Sequence, residues 1–282
     1  MLGKGRRSKL VAALLVATAL TACGSNAKLD RGQVDLETHT AENIFGRAEY
    51  EIERKKPDQA AFYFSEVERL YPYSDWAKRA VIMQAYAYHL DKDYESSRAA
   101  AQRYIDFYPT DDDAAYAQYL VALSYYDQID EVGRDQGLTF QALQSLRTVI
   151  ERYPDSEYSR SAVLKFDLAF DHLAAKEMEI GRYYLRHDHF AASANRFRVV
   201  VEDFQTTSHT AEALHRLVEA YLSLGLTQEA QTAGAILGHN FQSSEWYDSS
   251  YKLLSGHGLK AEAKGDNWLR QVYRQMLKGQ WL

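Results

Sequence analysis

The chain has 282 residues, 46% of them hydrophobic, and its 33 basic and 39 acidic side chains leave a net charge of −6. Residues 1–22 carry Lys4, Arg6, Arg7 and Lys9 and no acid; removing them leaves 29 basic against 39 acidic side chains, a net charge of −10, so nucleic acid is not an expected partner. A single cysteine excludes an internal disulfide, and the chain has only 4 prolines and no alternating apolar run long enough for a sheet.

Residues 1–22 read as a secretory signal, because the basic side chains precede an apolar stretch, residues 10–20, too short to span a bilayer permanently. The stretch ends in Leu20-Thr21-Ala22-Cys23, which resembles the lipobox of bacterial lipoproteins. The alternative is an ordinary signal peptide with an incidental cysteine. The resemblance implies that Cys23 becomes the first mature residue and carries a diacylglycerol and an N-acyl chain, several acyl chains where one alone binds a membrane only marginally. Acylation also removes a lone thiol that would be a liability in an oxidising compartment. Gly24 stands where lipoproteins retained at the inner membrane typically carry Asp, so the expected destination is the periplasmic face of the outer membrane. Residues 23–39 are polar without helical period and form a tether.

From residue 40 to 255 one pattern returns five times. An aromatic followed by Pro or Gln stands at Tyr71-Pro72, Tyr108-Pro109, Tyr153-Pro154, Phe204-Gln205 and Phe241-Gln242. Twelve residues before each Pro or Gln lies a small residue that opens a helical stretch: Ala60, Ser97, Ala142, Ser193 and Ala230. The small side chain lets the second helix of a pair approach the first, and Phe64, Leu146 and Phe197, four residues further on, fill the space beyond. Each Pro biases the residue before it away from helix, so the aromatic closes one repeat and the next helix restarts after Ser74, Asp111 or Ser156. The period predicts an all-α fold, a superhelical array of about five tetratricopeptide-like helix-turn-helix repeats of roughly 34 to 37 residues, because stacked pairs bury apolar faces that one pair cannot.

Ala48, Ala85 and Ala122 mark the first helices of repeats one to three at a spacing of 37 residues. The eight extra residues of repeat three then fall between its helices, in residues 127–138, where Asp130, Glu131, Arg134 and Asp135 indicate a solvated loop without the ligand order of an EF-hand. The extra length of repeat four extends its first helix, from Ser161 to about Arg186, past its neighbours.

No nucleophile elbow, phosphate loop, dinucleotide fingerprint or zinc-binding motif occurs, and an enzyme is not expected. His187 and His189 flank Asp188 in an inter-helix turn and read as solvated histidines, not a metal pair. Residues 256–282 form a linker and a C-terminal amphipathic helix, with Trp268, Leu269, Val272, Met276 and Leu277 on one face. That helix caps the last repeat, docks on a partner or lies in anionic headgroups.

Three stretches, residues 71–110, 178–197 and 212–230, together with the lipobox and the repeats, resemble the outer-membrane β-barrel assembly lipoprotein family BamD, also called ComL or YfiO. The similarity runs over about residues 20–255 and the tail departs from it. It implies a non-enzymatic, lipid-anchored scaffold that binds the periplasmic domains of the barrel subunit BamA, works beside other assembly lipoproteins and receives the C-terminal segments of unfolded outer-membrane proteins. A rival function is a repeat lipoprotein that organises peptidoglycan enzymes in cell-wall synthesis.

Two sets of site residues follow. First helices line the inner face of tetratricopeptide arrays, and the alanine register puts Phe45, Arg79, Ile82, Tyr86, Tyr116, Tyr119 and Tyr126 in a client groove, alongside Glu42, Glu49, Ile52, His89 and Leu123. Rings bury area at small entropic cost and Arg79 suits a carboxylate; the alternative is that these tyrosines only pack between repeats. Asn195-Arg196 matches the Asn-Arg of the family stretch and marks a partner interface, or else a solvated helix face.

Overall fold

The structure is a computed structural model that describes residues 36–263 together with 268, 269 and 272. The signal segment, Cys23, most of the tether, Met276 and Leu277 lie outside the described residues. After a short 3-10 turn, Leu36–Thr38, the described residues form eleven α-helices and no strand. In chain order these are α1 Ala41–Glu53, α2 Pro57–Leu70, α3 Asp75–Leu90, α4 Tyr94–Phe107, α5 Ala114–Tyr126 and α6 Gly137–Arg152. There follow α7 Glu157–Arg186, α8 Phe190–Asp203, α9 Thr210–Ser223, α10 Thr227–Asn240 and α11 Glu245–Gly256. The chain divides into two compact units, Met1–Met83 and Gln84–Leu282, with the boundary inside α3.

The turns repeat as closely as the helices do. Lys55, Lys92, Asp188 and Gly225 each stand seven residues after Ala48, Ala85, Gly181 and Val218, and each has a left-handed φ, between 58° and 74°. At each of them the next amide reaches back five residues, as in Lys56 N–H to Glu51 O (2.9 Å), Asp93 N–H to Tyr88 O (3.0 Å), His189 N–H to Tyr184 O (3.0 Å) and Leu226 N–H to Tyr221 O (2.8 Å). This is a Schellman turn, which satisfies helix-end carbonyls and reverses the chain within three residues. Repeat three lacks it because its extra residues, Asp127 to Gln136, occupy the place where the turn would form. The left-handed Asp188 turns His187 back on its own helix, its Nδ1 2.7 Å from the Tyr183 carbonyl, while His189 enters α8 as its N-cap.

The turns between repeats are equally regular. Tyr71, Tyr108, Tyr153, Phe204 and Phe241 each cap a helix, and each carbonyl accepts the amide three residues on. Ser156 then caps α7 through Ser159 N–H at 3.2 Å, whereas α5 starts two residues later than Asp111 suggested, after Asp113.

All five small residues of the sequence pattern are fully buried, and two supply a further tie. Ser97 donates to the Ala85 carbonyl at 2.9 Å and Ser193 to the Gly181 carbonyl at 3.0 Å, each twelve residues back on the facing helix. In the first unit Phe45 packs on Phe64 and Trp76, with ring centres 5.1 and 5.0 Å away. In the second unit the largest core gathers Met178, Phe197, Leu214, Leu217, Ile236 and Leu254 from α7 to α11, and Leu269 and Val272 of the C-terminal segment are buried in it.

Candidate functional site

In the first unit Arg79 is exposed on α3, and its guanidinium lies over the rings of Phe45 and Trp76, 5.1 and 5.0 Å from their centres. It makes no ion pair among the described residues, so an aromatic shelf holds a cation ready for a carboxylate. Phe45 itself is 1% exposed and Ile82 5% exposed. Phe45 supports this surface from beneath, Ile82 is core, and neither lines a groove, which corrects the sequence-based expectation for both. Tyr119, at 9% exposed, shares that position in repeat three and is likewise core.

The reason is helical phase. Phe45, Ile82 and Tyr119 each stand three residues before the register alanine, about 60° from it around the helix and inside the arc that packs on the second helix. Positions six before and one after, at about 120° and 100°, come out of that arc. There stand Arg79 and Tyr116, and Tyr86, none of which is buried.

In the second unit the remaining tyrosines gather between α5 and the N-terminal half of α7. Tyr158 brings its ring to 5.1 Å from Tyr116 and 5.5 Å from Tyr119. Lys165 sets its ammonium over the Tyr126 ring at 4.7 Å. Burial, then the neighbouring phenols of Tyr86, Tyr158 and Tyr119, push the Tyr116 phenol well above its ordinary range. It is therefore a neutral donor at physiological pH, suited to a peptide carbonyl. Sequence reasoning missed Tyr158 and Lys165 because the register of repeat four runs through Gly181, 23 residues after Tyr158. The amphipathic pattern of the extra turns was the signal available.

At the predicted interface, Asn195 is exposed, while Arg196 reaches across to α7 and pairs with Glu177 at 3.0 Å. Beside it a ladder of charges joins α7 to α9: Arg182 to Glu212 at 2.8 Å, Arg216 to Glu212 at 3.2 Å and Arg216 to Glu219 at 2.8 Å. Glu219 has its carboxyl below the usual range. Burial works against that, and hydrogen bonds from His215 and Arg216 outweigh it. Ser250, His215 and Glu219 have the residue types of a nucleophilic triad, His215 Nδ1 lying 2.8 Å from Ser250 Oγ. Ser250 is fully buried, so no substrate reaches it and the trio works as a helix-to-helix bridge. Among the described residues no cluster of His, Cys, Asp and Glu could hold a metal ion, and no helix is long and apolar enough to cross a membrane.

Helix pairs locked by recurrent turns, with an exposed arginine and half-buried tyrosines on their first helices, define a tetratricopeptide-like helical-repeat protein. The chain belongs to the YfiO family, described as outer membrane lipoprotein, whose model matches residues 37–236. It is similar to the outer membrane protein assembly factor BamD of Caulobacter vibrioides, 44% identical over 257 residues that cover 91% of this chain and 84% of that protein. The protein of the same name in Rickettsia prowazekii is 38% identical over 250 residues, covering 89% of this chain and 98% of its own.

Proposed function

We propose that the chain is a scaffold for outer-membrane protein assembly, anchored by acyl chains on Cys23, which holds the barrel subunit BamA and receives unfolded barrel proteins. The observation that carries this reading is the half-buried tyrosine cluster of Tyr86, Tyr116 and Tyr158, in a chain whose relatives are named assembly factors. Rigid rings bury the alternating side chains of an extended segment at low entropic cost, and neutral phenols meet its backbone. Arg79 on its aromatic shelf suits an acidic or terminal carboxylate in the same class of ligand. Arg196 and Asn195 are the residues through which the second unit reaches the barrel subunit.

The test is purification from solubilised membranes. The wild-type chain brings down a barrel subunit and binds a peptide ending in a barrel strand. Tyr86→Ala with Tyr116→Ala loses the peptide while keeping its helicity and the barrel subunit. Co-isolation of a cell-wall synthase without any barrel subunit would replace this reading with the rival one.

A further inference from the structure

Where α5 ends, the chain leaves a cleft of about 240 Å3 lined by Tyr126, Ile129 and Asp130 on one side and by Leu168, Ala169 and His172 of α7 on the other. Its floor is firm, because Leu143, Ala169 and Leu173 form a buried cluster backed by Phe166 and Phe170. Its loop wall is tied down twice. His172 Nδ1 lies 3.1 Å from Gln136 Oε1, and Lys176 donates to the Gly133 carbonyl.

The outer face of α7 next to this cleft is the unusual part; Leu168 lines the cleft, while Leu164 and Asp167 flank Leu168 outside the lining. Leu164 is 67% exposed and Leu168 62% exposed, one turn apart on α7, and Asp167 stands exposed beside them. Neighbouring acids already have partners: Asp130 pairs with Arg134 at 3.2 Å, and Asp171 binds Ser208 at 2.8 Å and His209 at 3.3 Å. Asp167 makes no ion pair among the described residues. Two leucines in water around an uncompensated carboxylate describe a surface that gains by covering the one and neutralising the other.

We propose that the cleft takes one aromatic or leucyl side chain of an extended peptide, while a lysine or arginine two residues along that peptide pairs with Asp167. In a strand, residues two apart share a face about 7 Å apart. The ring enters beside Tyr126 and covers Leu164 and Leu168, and the cation stays at the rim. This rests on the client reading above and gives it a chemical preference, apolar next to cationic, that the tyrosine cluster alone does not carry.

Fluorescence anisotropy with the detergent-purified lipoprotein tests it. Two labelled peptides with one phenylalanine are compared, one with lysine two residues away and the other with glutamate. The lysine peptide binds about ten-fold tighter, and Asp167→Lys reverses the order. Leu168→Gln, an exposed change that leaves helicity intact, weakens both peptides. An unchanged preference in Asp167→Lys, or full affinity in Leu168→Gln, overturns the cleft. If the preference follows Asp167 but unfolded barrel protein does not bind the wild type, the cleft stands as a peptide site and the client reading falls.

Discussion

The Phe197 ring lies directly against the α-carbon of Gly181. A Cβ built there would stand 2.5 Å from Phe197 Cε1 and 2.9 Å from Cδ1. The same register position holds Ala48, Ala85 and Ala122 in earlier repeats, so in repeat four the ring occupies the space that the methyl group takes there. Phe197 is fully buried and has nowhere to retreat.

Gly181→Ala therefore costs about 1–3 kcal/mol in urea unfolding, despite its better helix propensity, because the core overpacks. Adding Phe197→Leu to Gly181→Ala recovers part of that loss, and a double-mutant cycle reads the coupling.

Left-handed backbone at Lys92 gives the opposite sign. The strain of a side chain at φ 62° exceeds the entropy that glycine loses on folding, so Lys92→Gly raises stability by roughly 0.5 kcal/mol. Gly225→Ala, at φ 74°, lowers it by about 1–2 kcal/mol, and thermal melts compare the two.

The C-terminal segment is part of the core of the second unit. Leu269 is fully buried and Arg198 lies 4.6 Å from the Trp268 ring centre. Leu269→Ala costs about 2–5 kcal/mol, and deleting residues 266–282 lowers the melting temperature as loss of a cap would. A deletion that melts like wild type but no longer holds the barrel subunit would make the tail a docking element.

Glu219 sets an acid limit. Its folded carboxyl titrates below the unfolded one, so its stabilisation is complete above the unfolded value of about 4.3 and is lost as the pH falls through the lower folded value. Unfolding free energies followed downward from about pH 5 fall less steeply in Glu219→Gln than in wild type.

Arg196 can be separated from its structural role by exchanging charges. Arg196→Glu places a second carboxylate beside that of Glu177; Arg196→Glu with Glu177→Arg restores the ion pair in reverse. If Arg196 reaches the barrel subunit, both variants lose co-purification although the second regains its melting temperature. Recovery of both properties would leave Arg196 a bridge between α7 and α8.

What could be read in the sequence was whatever recurs. Ala60, Ser97, Ala142, Ser193 and Ala230 are spaced by the geometry of one helix pair, and the aromatic caps by one turn, so counting alone found both. The loop of repeat three and the length of α7 followed by subtraction. The groove was read less well because Phe45, Ile82 and Tyr119 recur at the same 37-residue spacing as true surface positions such as Arg79 and Tyr116, and only the packed second helix decides which arc is covered. Left-handed turns at Lys55 and Lys92 were hidden because lysine carries no turn signal; the backbone hydrogen bonds of the Schellman motif overrule its preference. Leu164, Asp167 and Leu168 went unnoticed since they interrupt no pattern.

In a solenoid each repeat ordinarily meets its neighbour across an interface, and the array can open one unit at a time. Helix α7 removes one such seam. Its first half supplies Ala162 and Ala169 to the cores under repeat three, and its second half supplies Ala174 and Met178 to the core of repeats four and five. Thirty continuous residues make both cores depend on one hydrogen-bond ladder, so fraying cannot stop between them. Hydrogen exchange should then find the amides of α5 and α9 opening in a single cooperative step, and a pull on repeats four and five would be transmitted whole to the cleft beside α5.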